Sequence, residues 1–127
     1  MNNADKTDGA LLYEPEKRSV TEMIDKTGLI IIVRGVPSEK LPQLAEALYD
    51  GGVRLLEVTF DACGKKTDAE TAADIETLVE KFKGRMYIGA GTVLTKGQVR
   101  LTKKAGGSFI ISPNIDKDVI TDGNRDK

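Results

Sequence analysis

The sequence predicts a single α/β domain built on a parallel β-sheet. Apolar, strand-like runs alternate with amphipathic helical segments along the 127 residues, and this alternation is typical of parallel strands joined by helical crossovers. Glycines and helix-capping residues mark the junctions between these segments. Two stretches, "LYDGGVRLLEVT" and "TKKAGGSFIISP", also repeat the order helix, double glycine, strand.

The first half of the chain predicts two helices and two strands. After a polar tail over residues 1–14, Pro15 suits the first turn of a helix that ends at Gly28. The continuous β-branched run "LIIIVRG" then predicts a strand that is buried on both faces. Ser38 is the expected N-cap of the next helix, and Pro42 falls in its tolerant first turn. "VRLLEVTF" is the second predicted strand.

The second half continues the same alternation. Two Thr-x-x-Glu/Gln patterns predict capping boxes: Thr67 with Glu70, and Thr95 with Gln98. "RMYIGAG" predicts the third strand, and residues 108–112 of "AGGSFIISP" predict the fourth. A short helix is expected from Asp116, whereas "TDGNRDK" shows no further pattern. Residues 15–127 are therefore interpreted as one domain.

Two architectures fit this order of elements: an open doubly wound sheet, or one half of a (β/α)8 barrel made of an N-terminal helix and about four βα units. Both place functional groups at the carboxyl ends of the strands. A lone half-barrel would expose strand edges and an apolar interior, so in that architecture we expect the chain to oligomerise or aggregate.

Composition excludes several classes of function. The 19 basic and 20 acidic residues nearly cancel, which argues against binding to nucleic acid or to an anionic membrane. Five residues, 29–33, form the longest apolar run, far short of a membrane span. The lone Cys63 fits a reducing cytoplasm, and the absence of histidine argues against most zinc sites. The loop after strand three has Leu94 where a dinucleotide-binding loop needs its third glycine, so no cofactor is expected.

Glu57 is the main candidate for catalysis. Strand alternation places it on the face opposite the apolar Leu56, Val58 and Phe60. A buried carboxylate is costly unless it is paired or its pKa rises. It is therefore either a structural ion-pair partner of Arg34 or a general acid/base with a raised pKa.

Gly89, Gly91 and Thr92 form a candidate anion-binding turn after strand three. The glycines permit close approach of the backbone, and Thr92 can offer a hydroxyl to a small anion. The same residues also fit a tight turn that only leads into the next helix.

Three motifs, "GGVRLLEVTF", "IGAGTVL" and "AGGSFIISPN", together resemble the bacterial 2-keto-3-deoxy-6-phosphogluconate (KDPG) and 4-hydroxy-2-oxoglutarate (KHG) aldolases, over about residues 15–119. The resemblance implies a (β/α)8 barrel, a homotrimer, and class I lyase chemistry without a cofactor. In that chemistry a lysine forms a Schiff base with a 2-keto acid, and cleavage releases pyruvate and an aldehyde.

The resemblance also implies roles for individual residues. Glu57 of "LEVT" matches the catalytic acid/base, and Thr92 of "GAGT", with Gly91, matches the residue that binds the substrate carboxylate. Pro113 of "ISP" matches the pocket-lining end of strand four. Arg34 is similar to an arginine that contacts carboxylate or phosphate.

Two departures from the family pattern stand out. Asp61 occupies the position where many members have a substrate-binding arginine, which Lys65 or Lys66 could replace. The family's Schiff-base lysine lies on strand six, in an "FKFFP"-like motif, beyond the segment represented here, so we expect no turnover by these 127 residues alone. The alternative interpretation is a non-catalytic α/β binding or interaction module.

Overall fold

The computed structural model describes residues 17–124. The predicted tail over residues 1–14 and the predicted helix start at Pro15 lie outside this range. The elements in chain order are α1 (Lys17–Thr27), β1 (Ile31–Val33), a 3-10 turn (Ser38–Lys40), α2 (Leu41–Asp50), β2 (Leu55–Thr59), α3 (Asp68–Lys81), β3 (Tyr87–Gly91), α4 (Lys96–Lys104) and α5 (Lys117–Asn124).

The three strands form one parallel sheet in the order β1-β2-β3, which confirms the predicted α/β class. The register places Glu57 of β2 opposite Ile32 of β1 and Gly89 of β3. Thr59 lies opposite Gly91 in the same register. Because aligned residues of parallel strands point to the same side, these side chains share one face, which we call the Glu57 face.

Each side of the sheet carries its own apolar cluster. The side opposite the Glu57 face packs against the crossover helices, through a core that includes Leu56, Val58, Phe60, Ile75, Leu78 and Phe82. On the Glu57 face, Val20 and Met23 of α1 pack against Leu55 and Tyr87. Those two residues begin β2 and β3. Helix α1 therefore covers the amino end of the Glu57 face.

The predicted strand β1 is shorter and less buried than expected. The exposed fraction is 56% for Ile32 and 48% for Leu29, whereas Val33 is buried. The prediction of burial on both faces was therefore wrong. Within residues 17–124, only the side of β1 that carries Val33 lies against the main core.

The prediction of a fourth strand over residues 108–112 was also wrong, because in this segment only Ile110 makes a bridge, an isolated parallel one to Ala90. The backbone still follows β3, since Ala90 N–H donates to Phe109 O and Ile111 N–H donates to Ala90 O. Two further hydrogen bonds, from Ser108 N–H to Ile88 O and from Val93 N–H to Ile111 O, keep the segment beside β3. It therefore lies where the fourth strand was predicted but makes a single bridge instead of a ladder.

The helix ends match the predictions in part. Thr67 and Glu70 form the predicted reciprocal capping box. Thr95 Oγ1 accepts from the Gln98 N–H as expected, but Gln98 Oε1 accepts from the N–H of Leu94 and not from that of Thr95. The second capping box therefore forms only in part, because the Gln98 side chain accepts from the residue before the one predicted.

Two other helix predictions need correction. Ser38 is not an N-cap, because it begins the 3-10 turn in which the Lys40 N–H donates to Pro37 O, and α2 starts only at Leu41. At the other end, α5 runs to Asn124 through a segment without a helical pattern. The ion pair between Arg100 and Asp122 ties that segment to α4 and stabilises it by tertiary contact.

Candidate active site

Glu57 lies inside the sheet with its side chain 3% exposed. Its neighbours in β2, Leu56 and Val58, face the helices, so the strand alternation turns the carboxyl group to the other side. Helix α1 occupies only the amino end of that side, through Leu55 and Tyr87. The carboxyl group therefore lies toward the end of the sheet where the strands terminate.

The two glycines of "GAG" make room for large side chains on the Glu57 face. A Cβ placed on Gly91 would lie 1.6 Å from Glu57 Oε2, and one placed on Gly89 would lie 2.5 Å from Phe109 Cδ2. Both distances are far inside van der Waals contact. The Glu57 carboxyl group therefore requires a glycine at position 91, and the Phe109 ring requires a glycine at position 89.

Thr92 follows Gly91 directly and has a backbone φ of 52°. A β-branched residue in the left-handed region is uncommon and costs on the order of 1–3 kcal/mol, and such strain concentrates at functional sites. The residues on either side hold it in place: Phe60 N–H donates to Gly91 O, and Val93 N–H donates to Ile111 O. Thr92 itself is partly exposed.

Burial raises the pKa of the Glu57 carboxyl group above its usual value, and the positive charge of Arg34 partly opposes that rise. Among the described residues, however, Glu57 and Arg34 form no ion pair. The structure therefore does not support the interpretation of Glu57 as a structural ion-pair partner. A buried carboxyl group with a raised pKa is suited to carry a proton at a pH where an exposed glutamate is ionised.

A cavity of about 340 Å³ lies between α1, residues 107–112 and α5. Its lining includes Phe109, whose ring lies over Gly89, and Ser112, which donates to Val93 O, but neither Glu57 nor Thr92. A second cavity, of about 260 Å³, lies at the carboxyl ends of β1 and β2. The polar side chains that line it are Arg34, Thr59, Asp61, Cys63, Lys65 and Lys66.

Asp61 organises the loop after β2. Its two carboxylate oxygens accept hydrogen bonds from the N–H groups of Cys63, at 2.8 Å, and Lys66, at 3.0 Å. These bonds, chiefly the one from Cys63, hold the pKa of Asp61 below its usual value. The residue at this position therefore shapes the loop.

The Lys66 side chain joins three segments. Its ammonium group donates to Val36 O in the loop after β1 and forms a salt bridge with Asp74 of α3, whose side chain is 7% exposed. Sequence reasoning missed these contacts, because Val36 is 30 residues from Lys66 along the chain and Asp74 belongs to the following helix α3. The sequence did carry a signal for the bonds that Asp61 makes in its own loop. Aspartate often accepts a hydrogen bond from the backbone N–H two residues later, here that of Cys63.

Pro113 lies beside the loop that contains Thr92. The preceding residue, Ser112, donates its hydroxyl to Val93 O at 2.9 Å and so fixes this segment to the end of β3. Pro113 itself is exposed. The structure thus brings Glu57, Gly91 and the Thr92 loop together, and places Arg34 close enough to influence the Glu57 pKa.

The sequence also matches a known family along most of its length. The sequence profile described as KDPG and KHG aldolase matches residues 20–127. The chain belongs to the KDPG and KHG aldolase family. The KHG/KDPG aldolase of Escherichia coli K12 is 34% identical over 104 residues, which cover 81% of this chain and 46% of that protein. The 2-dehydro-3-deoxy-phosphogluconate aldolase of Treponema pallidum is 30% identical over 102 residues, 80% of this chain and 45% of that protein.

The fold of this chain resembles solved structures of KDPG aldolases. The Legionella pneumophila enzyme, with pyruvate captured as a covalent carbinolamine intermediate, matches with a TM-score of 0.65 and 34% identity over 77% of this chain and 44% of that chain. The Zymomonas mobilis enzyme with 3-phosphoglycerate matches with a TM-score of 0.66 and 25% identity, over 83% and 46%. This member of the KDPG and KHG aldolase family spans about half the length of the curated relatives it matches.

No helix between residues 17 and 124 combines the length and the apolar character of a bilayer span. Within the same part of this aldolase-family chain, the acidic and cysteine side chains form no group of three that could hold a metal ion.

Proposed function

We propose that this chain supplies the acid/base half of a class I aldolase that cleaves KDPG or KHG to pyruvate and an aldehyde. The observation that carries the proposal is the packing of the buried Glu57 carboxyl group against Gly91, directly beside the strained Thr92. Membership of the aldolase family supports the same assignment.

In this proposal Glu57 moves protons at two stages. As an acid it protonates the departing hydroxyl group when the substrate carbonyl condenses with an amine, and as a base it accepts the hydroxyl proton when the carbon–carbon bond breaks. Its raised pKa supports both roles, since a general acid/base works best with a pKa near the working pH.

Four further residues bind substrate in this proposal. Thr92 and the backbone at Gly91 hold the carboxylate of the 2-keto acid, and Pro113 lines the adjacent wall. Arg34 contributes positive charge at the end of β1, where it already acts on the Glu57 pKa.

We further propose that the sheet is the first part of a (β/α)8 barrel and that the Schiff-base lysine comes from βα units outside these residues. None of β1, β2 and β3 contains a lysine. The uncovered apolar side chains of β1 and of residues 108–112 support a barrel interior on the Glu57 face. A homotrimer and a cytoplasmic location complete the proposal, the latter supported by the free Cys63.

Borohydride trapping tests the proposal. The longest product of the gene is incubated with pyruvate and borohydride, and its mass is measured. We expect one pyruvate adduct on a lysine beyond the segment represented here. Glu57→Gln should slow its formation by about 10²–10⁴-fold, as expected for loss of a general acid/base. Glu76→Gln, on the exposed side of α3, is the matched control and should leave the rate unchanged.

An unmodified mass would reject the aldolase assignment. If the reading frame also ended at Lys127 and the chain melted cooperatively alone, the non-catalytic binding module would be the better interpretation.

A further inference from the structure

The ring of Phe109 lies on the same face of the sheet as the carboxyl group of Glu57. We propose that Phe109 is a positioning residue for Glu57, whose ring shields the carboxyl group from water on one side and directs it toward the Thr92 loop. The inference rests on the proposed function only in naming Glu57 as the acid/base, because the wall that the ring forms is a property of the fold.

The first observation is the row of residues in which Phe109 lies. The parallel bridge between Ala90 and Ile110 aligns Phe109 with Gly89, and the strand register aligns Gly89 with Glu57. Aligned residues of parallel strands point to the same side of a sheet. Glu57 and Phe109 therefore lie on one face, on either side of Gly89, and the glycine leaves the space above the strand to their two side chains.

The second observation is how the two side chains share that space. The Phe109 ring covers Gly89, since three of its carbons lie 2.5–2.6 Å from the position that a Cβ would take. The Glu57 carboxyl group leans over Gly91 instead. Residues two apart on one face of a strand are separated by roughly 6.5 Å, so the ring adjoins the carboxyl group on its amino-end side. Because the space over Gly89 is filled, the carboxyl group points to the end of β3 that Thr92 follows.

The third observation is the cavity on the other side of the ring. Phe109 lines the 340 Å³ cavity between α1, residues 107–112 and α5, whereas Glu57 does not. The cavity has room for water, and Thr21 and Ser108 in its lining are polar. The ring thus stands between a space that water can enter and the carboxyl group. A smaller side chain at position 109 would join the two.

The electrostatic surroundings of Glu57 make this shielding measurable. Burial is the main cause of the raised pKa of Glu57, and the positive charge of Arg34, at the end of β1, opposes it. The apolar cluster on the same face contains one titratable group, the phenol of Tyr87, among side chains of α1, β2 and β3. Loss of the ring should therefore act on the pKa through the access of water.

Carbon-13 NMR of the glutamate carboxyl carbons measures the titration of Glu57 in the longest product of the gene. Its resonance is assigned by its absence in Glu57→Gln. In Phe109→Ala we expect the midpoint to move toward the ordinary value of 4.5, because water from the cavity reaches the carboxyl group. Phe109→Val keeps a residue suited to an extended segment and removes the outer ring carbons, so it should shift the midpoint in the same direction even if Phe109→Ala does not fold.

Two further variants separate this role from a general loss of packing. Phe109→Met keeps a long apolar side chain over Gly89 and should leave the midpoint close to that of the wild type. Phe82→Leu removes part of a buried ring in the core on the opposite side of the sheet. It should lower the melting temperature without moving the midpoint.

The rate of pyruvate trapping provides a second measurement. At a pH above both midpoints, each unit by which the midpoint falls should slow adduct formation about tenfold, because about tenfold less of the carboxyl group is protonated. The half-saturating pyruvate concentration should stay within about twofold of wild type, since Phe109 acts through Glu57 and not on the substrate.

A midpoint that is unchanged in both Phe109→Ala and Phe109→Val overturns the inference, as does an equal shift in Phe82→Leu. The NMR titration requires no turnover. Absence of a pyruvate adduct on the wild type would therefore reject the aldolase function and leave the shielding of Glu57 by Phe109 standing, so the two proposals fail separately.

Discussion

At the scale of single residues, the contact between Glu57 and Gly91 shows why a small residue and an acid occur together in this sheet. The carboxyl group fills the volume that any larger side chain at position 91 would need. The burial of the carboxyl group in the sheet is the physical cause of its raised pKa. The glycine at position 91 leaves room for the proposed acid/base at this buried position.

Removing the charge of Glu57 should stabilise the chain at neutral pH. The folded-state pKa is raised above its ordinary value of 4.5, so the protonated form is favoured in the fold. That contribution is complete below the pKa of the unfolded chain and is lost as pH rises through the folded pKa. Glu57→Gln, neutral at all pH values, should therefore gain stability at pH 7, within the roughly 0.5–2 kcal/mol of single stabilising substitutions.

Urea unfolding at pH 7 and at pH 4 checks this expectation. The gain should shrink at pH 4, which lies below the ordinary value of 4.5, because the wild-type carboxyl group is then largely protonated in both states. Glu76→Gln, exposed on α3, serves as the control. A loss of stability at pH 7, or a gain independent of pH, would contradict the burial argument.

Gly91→Ala should destabilise the fold by about 1–3 kcal/mol, as overpacking does in buried positions. The backbone φ of Gly91 is not in the left-handed region, so the cost arises from the contact with Glu57. In a Glu57→Ala background the same substitution should cost much less, and thermal melts of the four proteins measure this coupling.

Gly97→Ala is the control for that cycle. A Cβ at this position in α4 would lie 3.7 Å from Thr95 Oγ1, an ordinary van der Waals contact, so the substitution should stabilise by roughly 0.5–1 kcal/mol. Equal costs of Gly91→Ala in both backgrounds would show that the clash is with something other than Glu57.

At the scale of elements, the loops after β1 and β2 are joined to α3 by one side chain. Lys66 reaches Val36 O and Asp74, while its neighbour Lys65 remains exposed at the cavity. Two adjacent lysines with the same charge therefore differ, because Lys66 holds the loops together and Lys65 is exposed.

Lys66→Met should lower the free energy of unfolding by about 1.5–3 kcal/mol, since it leaves the buried Asp74 carboxylate without its charged partner. Lys65→Met should stay within about 0.5 kcal/mol of wild type, as exposed substitutions do. Urea titrations compare the two. Similar losses for both variants would show that Lys65 also stabilises the loop and would contradict the special role of Lys66.

At the scale of the whole molecule, the described residues leave an apolar surface beside the proposed site. Ile32 and Ile111 are exposed, and Ile32 lies opposite Glu57 in the sheet register. Exposed apolar side chains grouped on one face are typical of surfaces that contact other chains or other parts of a larger fold.

Ile32→Lys should therefore reduce self-association of the chain, measured as the concentration dependence of sedimentation. Ile120→Lys is the matched control, because Ile120 is 50% exposed but lies on α5. A wild-type chain that sediments as a monomer at all concentrations, or equal effects of the two substitutions, would show that the Glu57 face does not drive association.

Much of this structure could be predicted from the sequence, because it follows from patterns of residues that are close together in the chain. The alternation of strands and helices, the capping box at Thr67 and the direction of Glu57 all follow from periodicities of two and 3.6 residues and from capping chemistry. The failures lie where non-local contacts decide, as at residues 108–112, where pairing with β3 is limited to a single bridge. The prediction of Ser38 as an N-cap was wrong for a local reason, because a 3-10 turn precedes α2.

By itself, the sequence determined the parallel α/β class, the three motifs of the aldolase family and the acid of β2 that faces away from the helices. Only the tertiary structure decided that Glu57 occupies the space above Gly91, that Lys66 is committed to Asp74, and that Arg34 and Lys65 line one cavity. The physical reason is that periodicity fixes which side of an element a residue faces. Which groups then meet depends on strand register and on the packing of loops that are distant along the chain.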